Sequence, residues 1–251
     1  MTKLFGVFPV VLSLLIAATT ATASPVTFAQ TTQITDVNQI TILNPSGTVS
    51  VSGSGQDFFT YLVAGTPFSG PVLADFLFSA TSTQSGACGT IGCPGSDSFT
   101  EQGFTGTFSY IVASGLDAGM NLLSGTFNVN LDLGNSGGKL SSTNGGSSGS
   151  FSGTDTLLNL NGIQMTSDFL SFVGVTIETG SWALSGLSPN FAVNATGTTL
   201  SKPLDGTTFV ASNVGTFSSD VAPGIPEPAT VVLIGSALLG LGLIRKKLSR
   251  Q

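Results

Sequence analysis

The sequence predicts an all-β protein: a β-sandwich or jelly-roll-like ectodomain between an N-terminal signal peptide and a C-terminal transmembrane helix. Apolar and polar residues alternate at period two along the middle of the chain, with no sustained 3.6-residue periodicity. Gly accounts for 33 of the 251 residues, and with Ser, Thr and Asn it separates the alternating runs. Many short strands joined by Gly-rich turns favour packed antiparallel sheets over an α/β enzyme.

Residues 1–23 have the three-part organisation of a secretory signal peptide. One Lys precedes an apolar stretch, and small residues follow it up to the sequence Ala-Thr-Ala. Ala21 and Ala23 form the small-x-small pattern that signal peptidase requires, so we expect cleavage before Ser24 after passage through the Sec translocon. The alternative is an uncleaved anchor helix, which Pro9 inside the apolar run disfavours.

Residues 24–222 are expected to form one extracellular β-domain. The clearest half-buried strand has Phe127, Val129, Leu131 and Leu133 on one face and polar residues on the other. Further strand candidates are 39–43, 58–63, 73–78, 108–112, 157–160, 173–177, 182–184, 191–193 and 207–210.

The stretch 134–150, GNSGGKLSSTNGGSSGS, interrupts this pattern. Its Gly and Ser content is typical of a flexible connection, either a long hairpin loop or a linker between two small sandwiches. A single domain is preferred, because the strands before this stretch would otherwise leave an open sheet edge.

The chain has two cysteines, Cys88 and Cys93, in the loop sequence CGTIGC. In an oxidising exterior an even cysteine count predicts a disulfide, which would fix one loop and add about 2 kcal/mol by loop entropy. A redox-active pair is the less favoured alternative, because such pairs usually have two intervening residues rather than four.

The charge distribution excludes several classes of function. Residues 24–228 hold all 13 acidic residues and only 2 of the 7 basic ones, so phosphate backbones would repel the body and no nucleic-acid partner is expected. The chain contains no His, which removes Ser-His and Cys-His catalysis and imidazole metal sites. We therefore expect a protein that is not an enzyme and has no metal or cofactor.

Two alternatives to this non-enzymatic interpretation stay open. A carboxylate-dependent glycoside hydrolase would need two converging acids, for which Asp97 and Glu101 are the nearest neighbours in sequence. A permanently anchored carbohydrate-binding module would need a flat aromatic strip, whereas Trp182, Tyr61 and Tyr110 are the only Trp and Tyr residues. The oxygen-rich stretch 132–136 and the Asp97 loop are weaker candidates for calcium, and neither resembles an EF-hand.

Residues 223–251 have the pattern of a membrane-directed tail. The stretch 229–244 is 16 residues long and uncharged, close to the length of about 17–25 residues that spans a bilayer. A basic cluster follows it, consisting of Arg245, Lys246, Lys247 and Arg250. By the positive-inside rule this cluster stays in the cytoplasm as a stop-transfer signal, and the acidic body lies outside.

The sequence IPEPAT at 225–230, the apolar stretch and the basic cluster together resemble the PEP-CTERM sorting signal. This family is found in bacteria that make extracellular polysaccharide, and the resemblance implies processing by an exosortase, a membrane-embedded cysteine transpeptidase. The implied recognition motif is Pro226, Glu227 and Pro228. Two prolines keep this segment from continuing the helix backward, so it is extended and open to an enzyme. The alternative is a stiff spacer that is not processed.

These observations together predict an exported protein that passes through an inner-membrane intermediate to the cell surface or a biofilm matrix. The β-domain is expected to have a structural, adhesive or polysaccharide-associated role.

Overall fold

The computed structural model describes eight ranges of the chain: 24–34, 39–43, 49–82, 86–91, 93–127, 137–154, 163–193 and 209–224. Within these ranges the chain forms twelve β-strands and no helix. Their bounds are β1 (Val26–Gln33), β2 (Ile40–Leu43), β3 (Val49–Tyr61), β4 (Val72–Ser82), β5 (Ala87–Cys88), β6 (Ser98–Val112), β7 (Asn121–Phe127), β8 (Gly138–Thr143), β9 (Ser148–Thr154), β10 (Ile163–Thr166), β11 (Glu178–Ser188) and β12 (Phe209–Ser219).

Eight of these strands close into an antiparallel barrel. Their order around the barrel is β1, β3, β4, β6, β8, β9, β11 and β12, and β12 pairs back with β1. The all-β class is right, but the β-sandwich or jelly roll predicted from the sequence is wrong. Alternation specifies only which side of a strand faces the core, and the same pattern serves a barrel and a sandwich.

The four remaining strands extend or fill the barrel wall. β2 occupies the gap between β3 and β12 where β1 ends, since it pairs with both. β7 pairs with the second half of β6, whereas β8 pairs with the first half. β10 adds to β7, and the short β5 adds to β6.

Aromatic side chains fill the interior of the barrel. Trp182 is fully buried at the centre, with its ring centroid 4.9 Å from that of Phe108, 5.2 Å from Phe78 and 5.4 Å from Phe217. The largest fully buried rings also include Phe28, Phe59, Phe76, Phe99, Phe104, Tyr110, Phe127, Phe151 and Phe191. These rings come from strands on every side, so the core is continuous across the barrel.

The stretch 134–150 is not a flexible connection where the structure describes it, from 137 onward. Gly138–Thr143 and the start of Ser148–Thr154 are the hairpin strands β8 and β9 in the barrel wall. A Cβ on Gly138 would lie 2.4 Å from the Phe151 ring, so glycine leaves room for the aromatic core. At Gly138 the glycine that indicated a linker is therefore a packing requirement, whereas Gly145 is a turn residue with a φ of +78°.

Other strand predictions have mixed outcomes. The candidates 39–43, 58–63, 73–78, 108–112 and 182–184 coincide largely with β2, β3, β4, β6 and β11. The candidate 173–177 is wrong: it is a turn with Gly174 at a φ of +86°. Residues 129–133 and the candidate 157–160 lie outside the described residues.

Both described chain ends lie at the same end of the barrel. Val26 at the start of β1 pairs with Ser219 at the end of β12. We call this the exit end and define it by the loops 62–71, 113–120, 167–177 and 220–224. The opposite, far end carries the disulfide loop and the β8–β9 turn.

Candidate functional site

The segment that follows β12 is held to the exit end by hydrogen bonds. The Asp220 carboxylate accepts from the backbone N–H groups of Thr176 (3.0 Å) and Ile177 (3.2 Å) and from the Thr176 hydroxyl. Hydrogen bonds from Thr176, first from its hydroxyl and then from its amide, lower the pKa of Asp220 to about 2. This carboxylate therefore stays ionised and closes the loop 167–177 against the end of β12.

Four residues further on, the chain is held a second time. The Ser171 N–H donates to the Gly224 carbonyl at 2.6 Å, and the Gly224 N–H donates to the Ser171 carbonyl at 2.8 Å. Gly224 is the last residue before the undescribed C-terminal segment. The folded body thus reaches to within two residues of Pro226.

Most residues predicted for export and sorting lie outside the described residues. These are Ala21 and Ala23 of the signal cleavage site, the motif Pro226, Glu227 and Pro228, the predicted helix 229–244, and the basic cluster Arg245, Lys246, Lys247 and Arg250. Ser24 is described and exposed at the exit end, just before β1. In the described ranges, no helix has the length and apolar character needed to cross a membrane.

The structure joins Cys88 and Cys93 by a disulfide, with their Cα atoms 5.5 Å apart. Asp97 closes the same loop, because its carboxylate accepts from the backbone N–H groups of Thr90 (2.7 Å) and Ser98 (2.9 Å). The two sulfurs and this carboxylate lie within 4.8 Å of one another. Since the sulfurs are bonded to each other, they are not available as thiolate ligands.

The predicted aromatic platforms lie inside the barrel. Trp182 and Tyr110 are fully buried, and the indole N–H of Trp182 donates to the Tyr110 hydroxyl at 2.9 Å. Burial raises the pKa of Tyr110 well above its usual range. Tyr61 is half-buried, and its hydroxyl donates to the Leu122 carbonyl at 2.6 Å. None of these rings offers an open face for stacking on a sugar.

The sequence interpretation did not single out Asp57, which faces the interior from β3. It is the only fully buried acidic side chain among the described residues, and neither of its carboxylate oxygens has a hydrogen-bond partner. Burial raises its pKa to about 6, while the Gln39 side chain opposes this shift. Asp57 lies two residues before the buried Phe59, so the period-two alternation of β3 places both side chains on the inner face. This alternation is the sequence signal by which Asp57 could have been found.

Asp57 adjoins a polar group at the point where β1 ends and β2 begins. The Asn213 side-chain amide donates to the Gln39 carbonyl oxygen at 2.8 Å, and the Asn213 backbone N–H donates to Gln33 at 3.0 Å. The Gln39 amide in turn donates to the Gln56 carbonyl at 3.0 Å. This polar group contains one carboxyl, that of Asp57, whereas glycoside hydrolysis uses a pair.

A shallow surface groove of about 340 Å³ crosses β6, β8 and β9. Hydroxyl-bearing side chains dominate its lining: Ser98, Thr100, Ser141, Ser142, Thr143, Ser148 and Ser150, with Phe99 and Gly149. The Thr100 and Ser141 hydroxyls lie 3.4 Å apart across two strands. Glu101, the other acid of the hydrolase hypothesis, lies in β6 opposite Leu140.

Comparison with known proteins identifies the C-terminal segment. The family model of the PEP-CTERM protein-sorting motif matches residues 224–247. No curated protein and no solved structure matches the chain significantly. The match begins at Gly224, the residue bonded to Ser171, and covers the motif Pro226–Pro228 and most of the basic cluster. The chain therefore carries a C-terminal PEP-CTERM protein-sorting motif, which implies export, anchoring in the membrane at the C-terminal end and processing by an exosortase.

Proposed function

We propose that this protein is a non-enzymatic component of the cell surface or extracellular matrix, delivered there as a finished barrel. One observation carries the proposal: the sorting motif begins at Gly224, five residues beyond the end of the last barrel strand. A cut within the motif would separate anchor from body without removing any strand of the barrel.

The proposed route has three steps. The Sec translocon exports the chain, and signal peptidase removes residues 1–23. The apolar stretch 229–244 then stays in the inner membrane, with Arg245, Lys246, Lys247 and Arg250 on the cytoplasmic side. The exosortase finally recognises Pro226, Glu227 and Pro228 and cuts in their vicinity.

A structural role for the body is supported by how its chemistry is distributed. Trp182 and Tyr110, two of the three predicted aromatic platforms, fill the barrel, Tyr61 is half-buried, and Asp57 is fully buried. The chain has no His to activate a nucleophile. The described acids give the alternative of a glycoside hydrolase no support, because Asp57 has no second buried carboxylate beside it among the described residues.

The body would then act through its outer surface, where hydroxyl groups prevail. The groove over β6, β8 and β9 offers many weak donors and acceptors, and extracellular polysaccharide is the partner whose chemistry fits them. Binding of residues 24–224 to a glycan array tests this part. Binding of an oligosaccharide that is lost in a Thr100→Val/Ser141→Ala variant would support it, and retained binding would contradict it.

The sorting step is tested by the intact mass of protein recovered from its native host. We expect a product that lacks residues 1–23 and the basic tail. A Pro226→Ala/Pro228→Ala variant should keep its tail and accumulate in the membrane. Pro67→Ala, which changes an exposed proline in a loop at the same end of the barrel, is the matched control and should be processed normally. A wild-type mass that includes Arg250 would contradict the proposal.

A further inference from the structure

The exit end of the barrel carries most of the exposed large hydrophobic residues of the described ranges. Seven of the thirteen exposed large hydrophobic residues in the described ranges lie there: Val26, Leu62, Leu116, Met120, Val173, Ile177 and Val221. Leu116 is fully exposed and Val173 is 92% exposed, each at a loop tip. An apolar surface concentrated at one end of a soluble domain marks an interaction site.

Local hydrogen bonds hold these tips in place. In the loop 113–120, the Met120 N–H donates to the Asp117 carbonyl at 3.0 Å and the Gly119 N–H donates to the Val112 carbonyl at 2.9 Å. In the loop 167–177, the Val175 N–H donates to the Phe172 carbonyl at 3.1 Å, and Asp220 holds Thr176. Leu116 and Val173 therefore project from closed turns instead of folding back onto the core.

The sorting segment limits how far this end can lie from the membrane. Gly224 is bonded to Ser171, and only residues 225–228 separate it from the apolar stretch that begins at Ala229. Five Cα steps span at most roughly 18 Å when fully extended. The headgroup layer on each side of a bilayer is about 5–8 Å thick. The anchored barrel therefore has its exit end at the bilayer surface.

The acidic residues of the exit end favour a lipid bilayer of low net charge as the partner of this surface. The exit end carries Asp117, Asp168, Glu178 and Asp220, and no basic residue among the described ranges lies there, since Lys139 is in β8. Asp168, Glu178 and Asp220 each accept from a backbone N–H group, those of Asn121, Met165 and Thr176 respectively. Cleavage before Ser24 would leave one α-amino group against these carboxylates, so apolar contact rather than attraction to anionic headgroups is what this end offers.

We propose that, in the anchored intermediate, the exit end lies against the lipid bilayer with Leu116 and Val173 at the boundary of headgroups and acyl chains. This inference rests on the proposed function, because the C-terminal anchor supplies the proximity. A few apolar side chains bind a membrane weakly on their own, but a short tether raises their effective concentration at the surface. Removal of the sorting segment ends the contact, so processing frees the barrel from the membrane.

The test uses residues 24–251 reconstituted into vesicles of phosphatidylethanolamine and a phosphatidylcholine that is brominated near the headgroup. Leu116→Trp and Val173→Trp place a fluorophore at the exit end. The matched control is Ile91→Trp, because Ile91 is equally exposed but lies in the disulfide loop at the far end. Buried Trp182 adds the same background to all three variants.

We expect bromine to quench Leu116→Trp and Val173→Trp several-fold more than Ile91→Trp, with a blue-shifted emission. The same variants of residues 24–224, which lack the anchor, should show no such difference. Equal quenching at both ends of an anchored chain would overturn the inference in favour of a protein that covers this surface. Quenching that persists without the anchor would overturn the release step.

Resistance of the chain to alkaline extraction from the vesicles separates this inference from the proposed function. A chain that is extracted contradicts the membrane-anchored intermediate and, with it, the docking surface. A chain that resists extraction but shows equal quenching leaves the sorting route intact and removes the docking surface alone.

Discussion

Asp57 links one residue of the aromatic core to the pH dependence of the whole barrel. Its pKa is about 6 in the folded state against an ordinary value of 3.8, because burial penalises the charged form. The folded state therefore binds this proton more tightly than the unfolded state. Stability should be highest below about pH 4 and fall as the pH rises to about 6, by about 3 kcal/mol in total. Urea unfolding of residues 24–224 at several pH values measures this.

The matched pair of variants for this prediction is Asp57→Asn and Asp75→Asn. Asp57→Asn should remove the loss of stability between pH 4 and 6. Asp75 is exposed on β4, where it accepts from the Gln56 amide, and its replacement should leave the loss in place. Parallel pH profiles for wild type and Asp57→Asn would show that Asp57 is not the titrating group.

The backbone of the neighbouring strand β4 leaves no room for a side chain at Gly106. A Cβ at this position would lie 2.0 Å from the Ser79 carbonyl oxygen and 2.5 Å from the Ala80 Cα atom. Because these are main-chain atoms of β4, the strand pair itself would have to separate. Gly106→Ala should cost about 3 kcal/mol or more, at the upper end of what overpacking costs. The urea midpoint measures this loss.

Gly70 is the control for the Gly106 prediction, since a Cβ there meets nothing within 4 Å. Gly70→Ala should change stability by no more than about 0.5 kcal/mol, as is usual for surface substitutions. If Gly106→Ala were equally harmless, β4 and β6 would be less closely packed than the structure has them.

At the scale of elements, alternation located strands well where one face is apolar and the other polar. Phe76 and Phe78 in β4, and Phe108 and Tyr110 in β6, share the interior as counted from the sequence. Alternation could not show that β12 pairs with β1, because this closure joins residues almost 200 positions apart. The choice between barrel and sandwich depends on that pairing.

The amino-acid composition of 134–150 led to a wrong prediction because some of its glycines have a packing role. In β8 and β9, Gly138 and Gly153 stand opposite the rings of Phe151 and Phe127, whereas Gly and Ser in a sequence indicate turns. The opposite error concerns Val173, which alternates like a strand residue but lies in an exposed turn at the exit end. Both errors arise because a sequence does not show which neighbours a residue will meet.

The sorting signal is a local pattern, so its identification needed no fold; the signal peptide is a prediction of the same local kind. In contrast, the buried polar group of Asp57, Gln39 and Asn213 lies where β2 replaces β1 as the partner of β3. This exchange of partner strands exists only in the closed barrel, so the sequence pattern does not show it.

The disulfide loop is an element whose contribution can be measured by itself. A Cys88→Ser/Cys93→Ser variant should lose about 2 kcal/mol, because the closed loop is short. The loss should be local: the Thr90 and Ser98 amides, which donate to Asp97, should exchange hydrogen faster. Hydrogen exchange with mass spectrometry and urea unfolding test the two parts.

Ile91→Ala is the control in the same loop, because Ile91 is fully exposed and packs against no core residue. It should leave both stability and exchange near wild type. If under reducing conditions the barrel kept its full stability and the Thr90 and Ser98 amides exchanged as in the oxidised protein, the disulfide would have no part in holding the loop.

For the molecule as a whole, the decisive feature is that its two ends emerge together. Val26 pairs with Ser219, so the predicted signal peptide before β1 and the sorting segment after β12 are joined to the same end of the barrel. Closure also leaves the eight barrel strands paired on both sides, so that among the described strands only added ones such as β5 and β10 have an unpaired edge. On the proposed route, processing would release the barrel with these pairings intact.

Hydrogen bonds hold residues 220–224 against the loop 167–177 at the exit end. Asp220 accepts three hydrogen bonds from Thr176 and Ile177, and Gly224 exchanges two with Ser171. Residues 24–224 should therefore be as stable as the processed protein. Residues 24–219 should lose about 2 kcal/mol, since a partly exposed hydrogen bond contributes about 0.5–1 kcal/mol and the loop 167–177 would also open. Urea unfolding and limited proteolysis of the two fragments measure the difference.

A fragment ending at Ser219 that is as stable as the longer one would mean that residues 220–224 hang free of the barrel. The tether to the bilayer would then be nine residues long instead of four, or ten Cα steps instead of five, and its reach would grow to roughly 35 Å. At that length the exit end would no longer be held at the membrane surface, and an exosortase could reach Pro226 without contacting the barrel. The hydrogen bonds of Asp220 and Gly224 therefore determine how closely the folded body and the sorting signal are coupled.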